Sequence, residues 1–484
     1  MKGGFFMDEY NKEQSRPVNP RRRKRSKAQI FKEVYLPVII AGIALLLIII
    51  FIIGAIVRGV QKNRAEKEAS IQASISILNE QARLAEEEQD LLEQARLLAA
   101  DYDYQGAVDV LNTFSGDIGN YPSISDKIAE YEQAKDTLVA WDDLSQVPNL
   151  SFQMLMANPA QSFQHSVYGS AFNKNYVSTD EFGRILEQLY DNGYILVRMS
   201  DFVTATTAED GSVSYTPKTL YLPEGKKPLM LTQTNVNYNI YIVDGDGDKL
   251  PDKDGAGFAC RLVVDETGGV TCEMIDSTGQ AITGAYDLVP ILDAFIKEHP
   301  DFSYRGARAV LALTGYNGLF GYRTYAGAEK DFGTDAYNQA VADATKVARA
   351  LRESGYELAC YTYRNAAYGE YSSSAMEADL TQWLSEALPI LGSTNIMVFA
   401  QQSDITNTEV YSGEKFEILQ SCGFRYYLGF CNDGALWASV NNNYVRQSRI
   451  LVSGSNMAHR SHWFTDLFDT NAVLDKELRS NIPT

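Results

Sequence analysis

The sequence predicts an α/β fold, a mostly parallel sheet or barrel wrapped in helices, preceded by a transmembrane helix and an α-helical stalk. Three observations predict it. Residues 34–57 form an uncharged apolar run, apolar residues at helical spacing follow it, and from about residue 147 short strand-like runs alternate with helical ones.

The run VYLPVIIAGIALLLIIIFIIGAIV holds 24 residues without a charge. At about 1.5 Å per helical residue it reaches roughly 36 Å, enough to cross a ~30 Å hydrocarbon core with some tilt. It is too long for a cleaved signal peptide, and no small-x-small site follows Ala55. Residues 1–33 carry ten Lys and Arg, including Arg21, Arg22, Arg23, Lys24, Arg25 and Lys27, against four in residues 58–72. The positive-inside bias predicts a cytoplasmic tail over 1–33 and an extracellular remainder: a stalk over 58–146 and a folded domain over 147–484.

Charge narrows the partners. The chain has a formal net charge of −19, and the part after residue 33 is more acidic still, at −25. Nucleic acid is therefore not expected as a partner, since phosphate binding needs clustered cations. All five cysteines (Cys260, Cys272, Cys360, Cys422 and Cys431) lie after the apolar run, and none forms a CxxC pair, so a cysteine zinc site is not expected. The odd number leaves at least one thiol free or paired between chains.

The stalk reads as helix. Ile71, Ile75, Leu78, Ala82 and Ala85 step by four and three, and Leu84, Leu91 and Leu98 recur at seven, a face suited to a self-associating coiled coil or to a helical hairpin. DYDYQG at 101–106 interrupts it, helix resumes over 107–114, and another helix is expected over 125–141. ARLLAADYDYQGAVDVL is similar to one helix–turn–helix unit of a tetratricopeptide-type repeat, but no second copy occurs.

Strands are expected over 194–197, 228–232, 309–314, 357–362, 395–400, 426–430 and 450–452. Helices are expected over 287–298, 336–354 and 374–388, and a further one is capped by Ser178 with Glu181 and ended by Gly193. An acidic insert near 244–283 includes a hairpin, 258–264 with 270–275. In VDGDGDKLPDKDG, Asp244, Asp246, Asp248 and Asp252 fall at positions one, three, five and nine of a calcium-loop spacing. Lys249 stands where an EF-hand wants glycine, and position twelve is Gly255. The two readings are a structural calcium site and a solvated acidic turn.

Three stretches carry a family resemblance: YVSTDEFGRILEQLYDNGYILVRMSDF at 176–202, AYDLVPILDAFIKEHPDFSYRGARAVLALTGYNGLFGYRT at 285–324 and SHWFTDLFD at 461–469. Over residues 147–469 the chain resembles polysaccharide deacetylases of the NodB-homology type, as found in membrane-anchored Gram-positive proteins. The resemblance implies a distorted, incomplete (β/α) barrel. In active members one Asp and two His hold a metal that polarises an acetyl carbonyl, and a neighbouring Asp is the base.

Those residues are replaced here. The family pattern T/S-F-D-D followed by VNY reads LTQTNVNY, which puts Thr234 at the base and Asn235 at the metal-binding Asp. The pattern H-[ST]-x-x-H matches ELACYTYRN, with Tyr361 and Asn365 at the ligand positions. Ala400 replaces the proline of an aromatic-Pro motif, and Asn149 and Gln153 occupy two upstream histidine positions. Amides are weak, neutral donors to zinc, tyrosine stays protonated near neutral pH, and threonine is no base. No zinc is therefore expected at the family site, and only four histidines, His165, His299, His459 and His462, remain to replace it.

These substitutions imply an envelope protein that has lost catalysis and binds cell-wall polysaccharide, or serves as a scaffold, through Asn235, Tyr316, Tyr361, Tyr363 and Trp383. The alternatives are an active deacetylase with other ligands and a purely structural stalk protein.

Overall fold

The computed structural model describes residue 48 and residues 64–244, 256–406, 410–479 and 481–484. The expected transmembrane helix at 34–57 and the aspartates Asp246, Asp248 and Asp252 lie outside those residues, Ile48 apart. Among the described residues no helix is long and apolar enough to cross a membrane. The chain divides into two units, residues 1–85 and 86–484.

In the first unit the described chain is helical from Arg64. Ile75, Ile77 and Leu78 are exposed along it. This helix, α1 (Arg64–Ala100), runs on into the second unit.

There it is followed by α2 (Tyr104–Leu111), capped by Asp103, and α3 (Pro122–Asp136), opened by a proline at its first position. Ala95, Leu111 and Ile124 are fully buried between the three. The helix expected over 125–141 stops at Asp136. Val139–Trp141, a β-branched and aromatic segment, pairs instead with Leu220–Leu222 as an antiparallel strand.

The main sheet comprises β1 (Asn149–Phe152), β2 (Tyr194–Leu196), β3 (Lys227–Thr234), β4 (Val310–Leu313), β5 (Glu357–Cys360), β6 (Ile396–Val398), β7 (Tyr426–Leu428), β8 (Ala438–Asn441), β9 (Tyr444–Gln447) and β10 (Ile450–Leu451). The order is β8-β9-β7-β6-β5-β4-β3-β1-β10, with β2 added at the start of β3, and all but β8 run parallel. Apolar runs such as VLAL in β4 and IMV in β6 are buried at every residue, as strands covered on both faces must be.

Residues 444–451 touch both ends of this sheet. β9 pairs with β7, and two residues later β10 pairs with β1. The sheet therefore curls back on itself as a barrel, and side chains bridge the seam. Gln447 donates to the Val147 carbonyl and accepts from Asn149, while Arg449 donates to Ser151 Oγ, the Phe399 carbonyl and the Gly429 carbonyl.

Helices α4 (Thr179–Asp191), α5 (Leu288–Glu298), α6 (Thr334–Glu353), α7 (Ser373–Glu386) and α8 (Glu414–Ser421) complete the wrapping. In α4 the Ser178–Glu181 capping box forms, and Phe182, Ile185, Leu186 and Leu189 fall on one buried stripe. Gly193 ends it at φ +81, where a Cβ would also stand 2.6 Å from the Gly225 carbonyl. The expected hairpin in the insert gains a third strand: Arg261–Val264, Val270–Ile275 and Ala281–Gly284 form one antiparallel sheet.

Candidate functional site

Side chains alternate across a strand, so each barrel strand sends every second residue inward. At the C-terminal end of the barrel this places Thr234, Thr314, Tyr361, Ala400 and Arg449 on the interior side. Thr234 lies beside the Tyr361 phenol and donates to the Phe152 carbonyl. Asn235 donates to Gln153 Oε1 at 3.1 Å. Four of the positions that the resemblance singles out thus neighbour one another, Thr234 beside Tyr361 and Asn235 bonded to Gln153.

The loops that carry them are strained and tightly held. Asn235, Thr362, Asn365, Gln401 and Gln402 all sit at positive φ, uncommon for non-glycine residues and costing of order 1–3 kcal/mol each. Asn237 ties the loop after β3 to that after β4, donating to the Thr314 and Gly318 carbonyls and accepting from Thr314 N–H. Asp287, fully buried at the start of α5, accepts from Tyr238, Gln233 and the Leu155 and Leu288 amides. Burial pushes its carboxyl up, against the Tyr238 and amide bonds. Asp379 fixes the loop after β5 by accepting from the Tyr363 and Arg364 amides and the Tyr368 hydroxyl. Sequence reasoning misses all three roles; the only signal for any of them is VNY, which contains Asn237 and Tyr238.

Several polar atoms at this mouth are buried without a hydrogen-bond partner: Gln233 Oε1, Asn235 Oδ1, Asn239 Oδ1, Thr314 Oγ1 and Asn365 Oδ1. Buried oxygens of this kind are normally satisfied, so these five are acceptors held without a protein donor. Arg449 lies beneath, 2 % exposed, and its guanidinium donates to three neutral acceptors. Desolvation pulls that guanidinium down, and the same burial pushes the Tyr361 phenol up despite the nearby Arg449 charge.

This donor set does not fit a divalent zinc site. It offers two amides, a neutral phenol and a hydroxyl beside a buried cation, where the metal needs carboxylate and imidazole. His459 bonds to the Ile482 carbonyl, and His462 packs against Trp463. Among the described residues no three His, Cys, Asp or Glu side chains converge as a metal-binding group. The five thiols are free, and all but Cys422 are buried.

The remaining candidates scatter. Tyr316 is half-buried, its hydroxyl 3.5 Å from that of Tyr241. Tyr363 is buried and donates to Glu386 at 2.6 Å. Trp383 is wholly buried under the sheet, its indole N–H bonded to the Leu313 carbonyl, and so serves packing. Ala400 is buried, between Phe399 and the turn at Gln401 and Gln402. Asp244 closes a short helical turn at the edge of the insert.

At the opposite end of the barrel, Glu357 begins β5. Burial pushes its carboxyl up to about 7, with Asp201 adding to the rise and Arg198 opposing it. A raised folded value means that the group favours folding below its unfolded pKa, and that this contribution is lost as pH rises through about 7. Glu357→Gln is therefore expected to gain about 2 kcal/mol at pH 8 and almost nothing at pH 4. Urea denaturation at the two pH values checks this; an equal effect at both would show that ionisation is not responsible.

No family model and no curated protein matches the chain. Solved structures that align with it include two deacetylases. A Streptococcus pyogenes deacetylase, PplD, in complex with acetate is 11% identical, with 64% of this chain and 96% of that chain covered, at a TM-score of 0.32. A de-N-acetylase from Aggregatibacter actinomycetemcomitans is 10% identical, with 66% of this chain and 99% of that chain covered, at a TM-score of 0.34.

Proposed function

We propose that this chain is a deacetylase-like protein of the cell envelope, anchored by one membrane helix over 34–57, that binds polysaccharide at its barrel mouth without turning it over. The observation that carries the reading is the pairing of Thr234 with Tyr361 and of Asn235 with Gln153, beside the unsatisfied oxygens of Asn235 and Asn365. A carboxylate base and ionised metal ligands are replaced by neutral side chains, which suit sugar hydroxyls and cannot activate water. The exposed Ile75, Ile77 and Leu78 support a stalk that self-associates.

The purified chain is expected to bind chitin or xylan oligomers saturably, to carry no stoichiometric transition metal and to release no acetate from acetylated forms. Asn235→Ala and Tyr361→Ala should each weaken binding about tenfold, about 1.4 kcal/mol, as expected for lost hydrogen bonds. Metal with turnover would instead establish an active deacetylase. Absence of both metal and sugar binding, with self-association of the stalk, would leave a structural role.

A further inference from the structure

A groove lies elsewhere in the second unit. It has a volume of about 550 Å³ and sits where the helical segment α2–α3 meets the opposite, N-terminal end of the barrel. Its walls are fastened together. Tyr102 donates to the Asp301 carbonyl at 2.8 Å, Arg305 N–H donates to the Asp101 carbonyl at 3.0 Å, and the Arg305 guanidinium pairs with Asp103 at 2.8 Å.

Two kinds of side chain line it. Tyr104, half-buried and stacked on Tyr131 with ring centroids 6.4 Å apart, faces the groove together with Tyr221, which is 51% exposed. Lys135 and Lys218 supply positive charge from exposed positions on either wall, and Lys135 donates one N–H to Gln105. Arg305 adds a third cation, already paired. The carboxylate in the lining, Asp201, is turned to the Arg198 amide, and burial pushes it up. A cationic groove is therefore built into a chain whose net charge is −19.

We propose that this groove is a second binding site and takes an anionic saccharide, a short sugar chain carrying carboxylate or phosphate groups. The tyrosine rings offer flat, amphipathic faces for the C–H surface of a sugar ring, and the two lysines meet the acidic group. Rings and cations side by side distinguish a charged sugar from a neutral one. The acidic remainder of the chain repels long polyanions such as nucleic acid, which restricts the site to a short charged segment. The inference is independent of the barrel mouth, since it shares no residue with it.

The test is calorimetry on the full-length protein with four probes: tetragalacturonate, a glycerol phosphate oligomer, chitotetraose and a hexaglutamate peptide. At least one of the first two should bind, more weakly as salt is raised, and whichever binds identifies carboxylate or phosphate as the recognised group. Lys135→Glu with Lys218→Glu, and separately Tyr221→Ala, should each lower that affinity at least tenfold, whereas Lys346→Glu on the distant face of α6 should not. All these positions are exposed, so the melting temperature should hold and distinguishes lost binding from lost folding. Failure of both anionic sugars to bind the wild-type protein, equal binding of chitotetraose, equal binding of hexaglutamate, or unchanged affinity in the charge-reversed variant would each overturn the proposal.

Discussion

Arg479→Met is expected to destabilise the protein by about 3–5 kcal/mol, the cost of stranding a buried charge. Its guanidinium forms a two-pronged pair with Glu181, 2.7 Å from Oε1 and 2.8 Å from Oε2, and the two side chains are 1% and 0% exposed. It also donates to the Asn173 and Tyr176 carbonyls. Glu181 in turn accepts from the Ser178 and Asp475 amides, so one carboxylate completes the cap of α4 and pins the C-terminal segment. Burial alone would raise the Glu181 carboxyl, but Arg479 and the two amides outweigh it and hold it below 4.5. A depressed folded value gives stability that is present above the unfolded pKa and lost as pH falls through the folded one. The wild-type protein should therefore lose the pair's contribution on acidification, and the variant should show a flatter acid limb. Glu181→Leu combined with Arg479→Met should recover much of the loss, because an apolar pair leaves no unpaired charge. Denaturant midpoints of the wild type and the two variants decide it; a loss under about 1 kcal/mol in Arg479→Met would mean that water reaches the site.

The same contrast between apolar and polar burial explains what could be read from the sequence. β3 to β7 announce themselves because both faces are covered and the runs are apolar. β1 and β9 do not, because NLSF and YVRQ put Asn149, Ser151, Arg446 and Gln447 into buried positions. The burial of these polar residues is offset by partners far along the chain: Thr232 and Gln447 for Asn149, Asp404 for Arg446. Local periodicity carries no trace of such bonds. The helix boundary at Asp136 is hidden for a related reason, since Val139–Trp141 becomes a strand only by pairing with Leu220–Leu222. At the candidate site, the nearness of Thr234 to Tyr361 follows from their places at the ends of β3 and β5. Arg449, Asn237, Asp287 and Asp379 depend on contacts between distant loops. Trp383 illustrates the converse, an aromatic residue whose type suggests sugar binding and whose position under the sheet assigns it to the core.

On the proposed reading, introducing the residues of the resemblance at the barrel mouth should create a metal-binding site. The variant Thr234→Asp, Asn235→Asp, Tyr361→His and Asn365→His supplies one carboxylate and two imidazoles as ligands and a second carboxylate as base. Asn235 and Asn365 lie on loops already held at positive φ, and the oxygens they present are unsatisfied. Those two exchanges add charge or a ring nitrogen at oxygens that accept no protein hydrogen bond, although Asn235→Asp gives up the Asn235 amide's bond to Gln153. Tyr361→His is the costly step, because Tyr361 is 6% exposed, faces Thr234 and lies near Arg449. A nearby cation opposes a bound divalent ion, and the carboxylate that Thr234→Asp introduces offsets it in part. Stoichiometric zinc after dialysis is expected for the quadruple variant, against none for the wild type and little for Asn235→Asp alone. Competition with a chelator measures the gain, and acetate release from acetylated oligomers measures what the metal and base achieve together. Adding Arg449→Met should tighten zinc further if the buried guanidinium is the main obstacle. A quadruple variant that folds but takes up no zinc would show that Tyr361 and Asn365 do not stand where the resemblance places its histidines. In that event the neutral mouth would be an original feature of this barrel and not the remnant of a metal site.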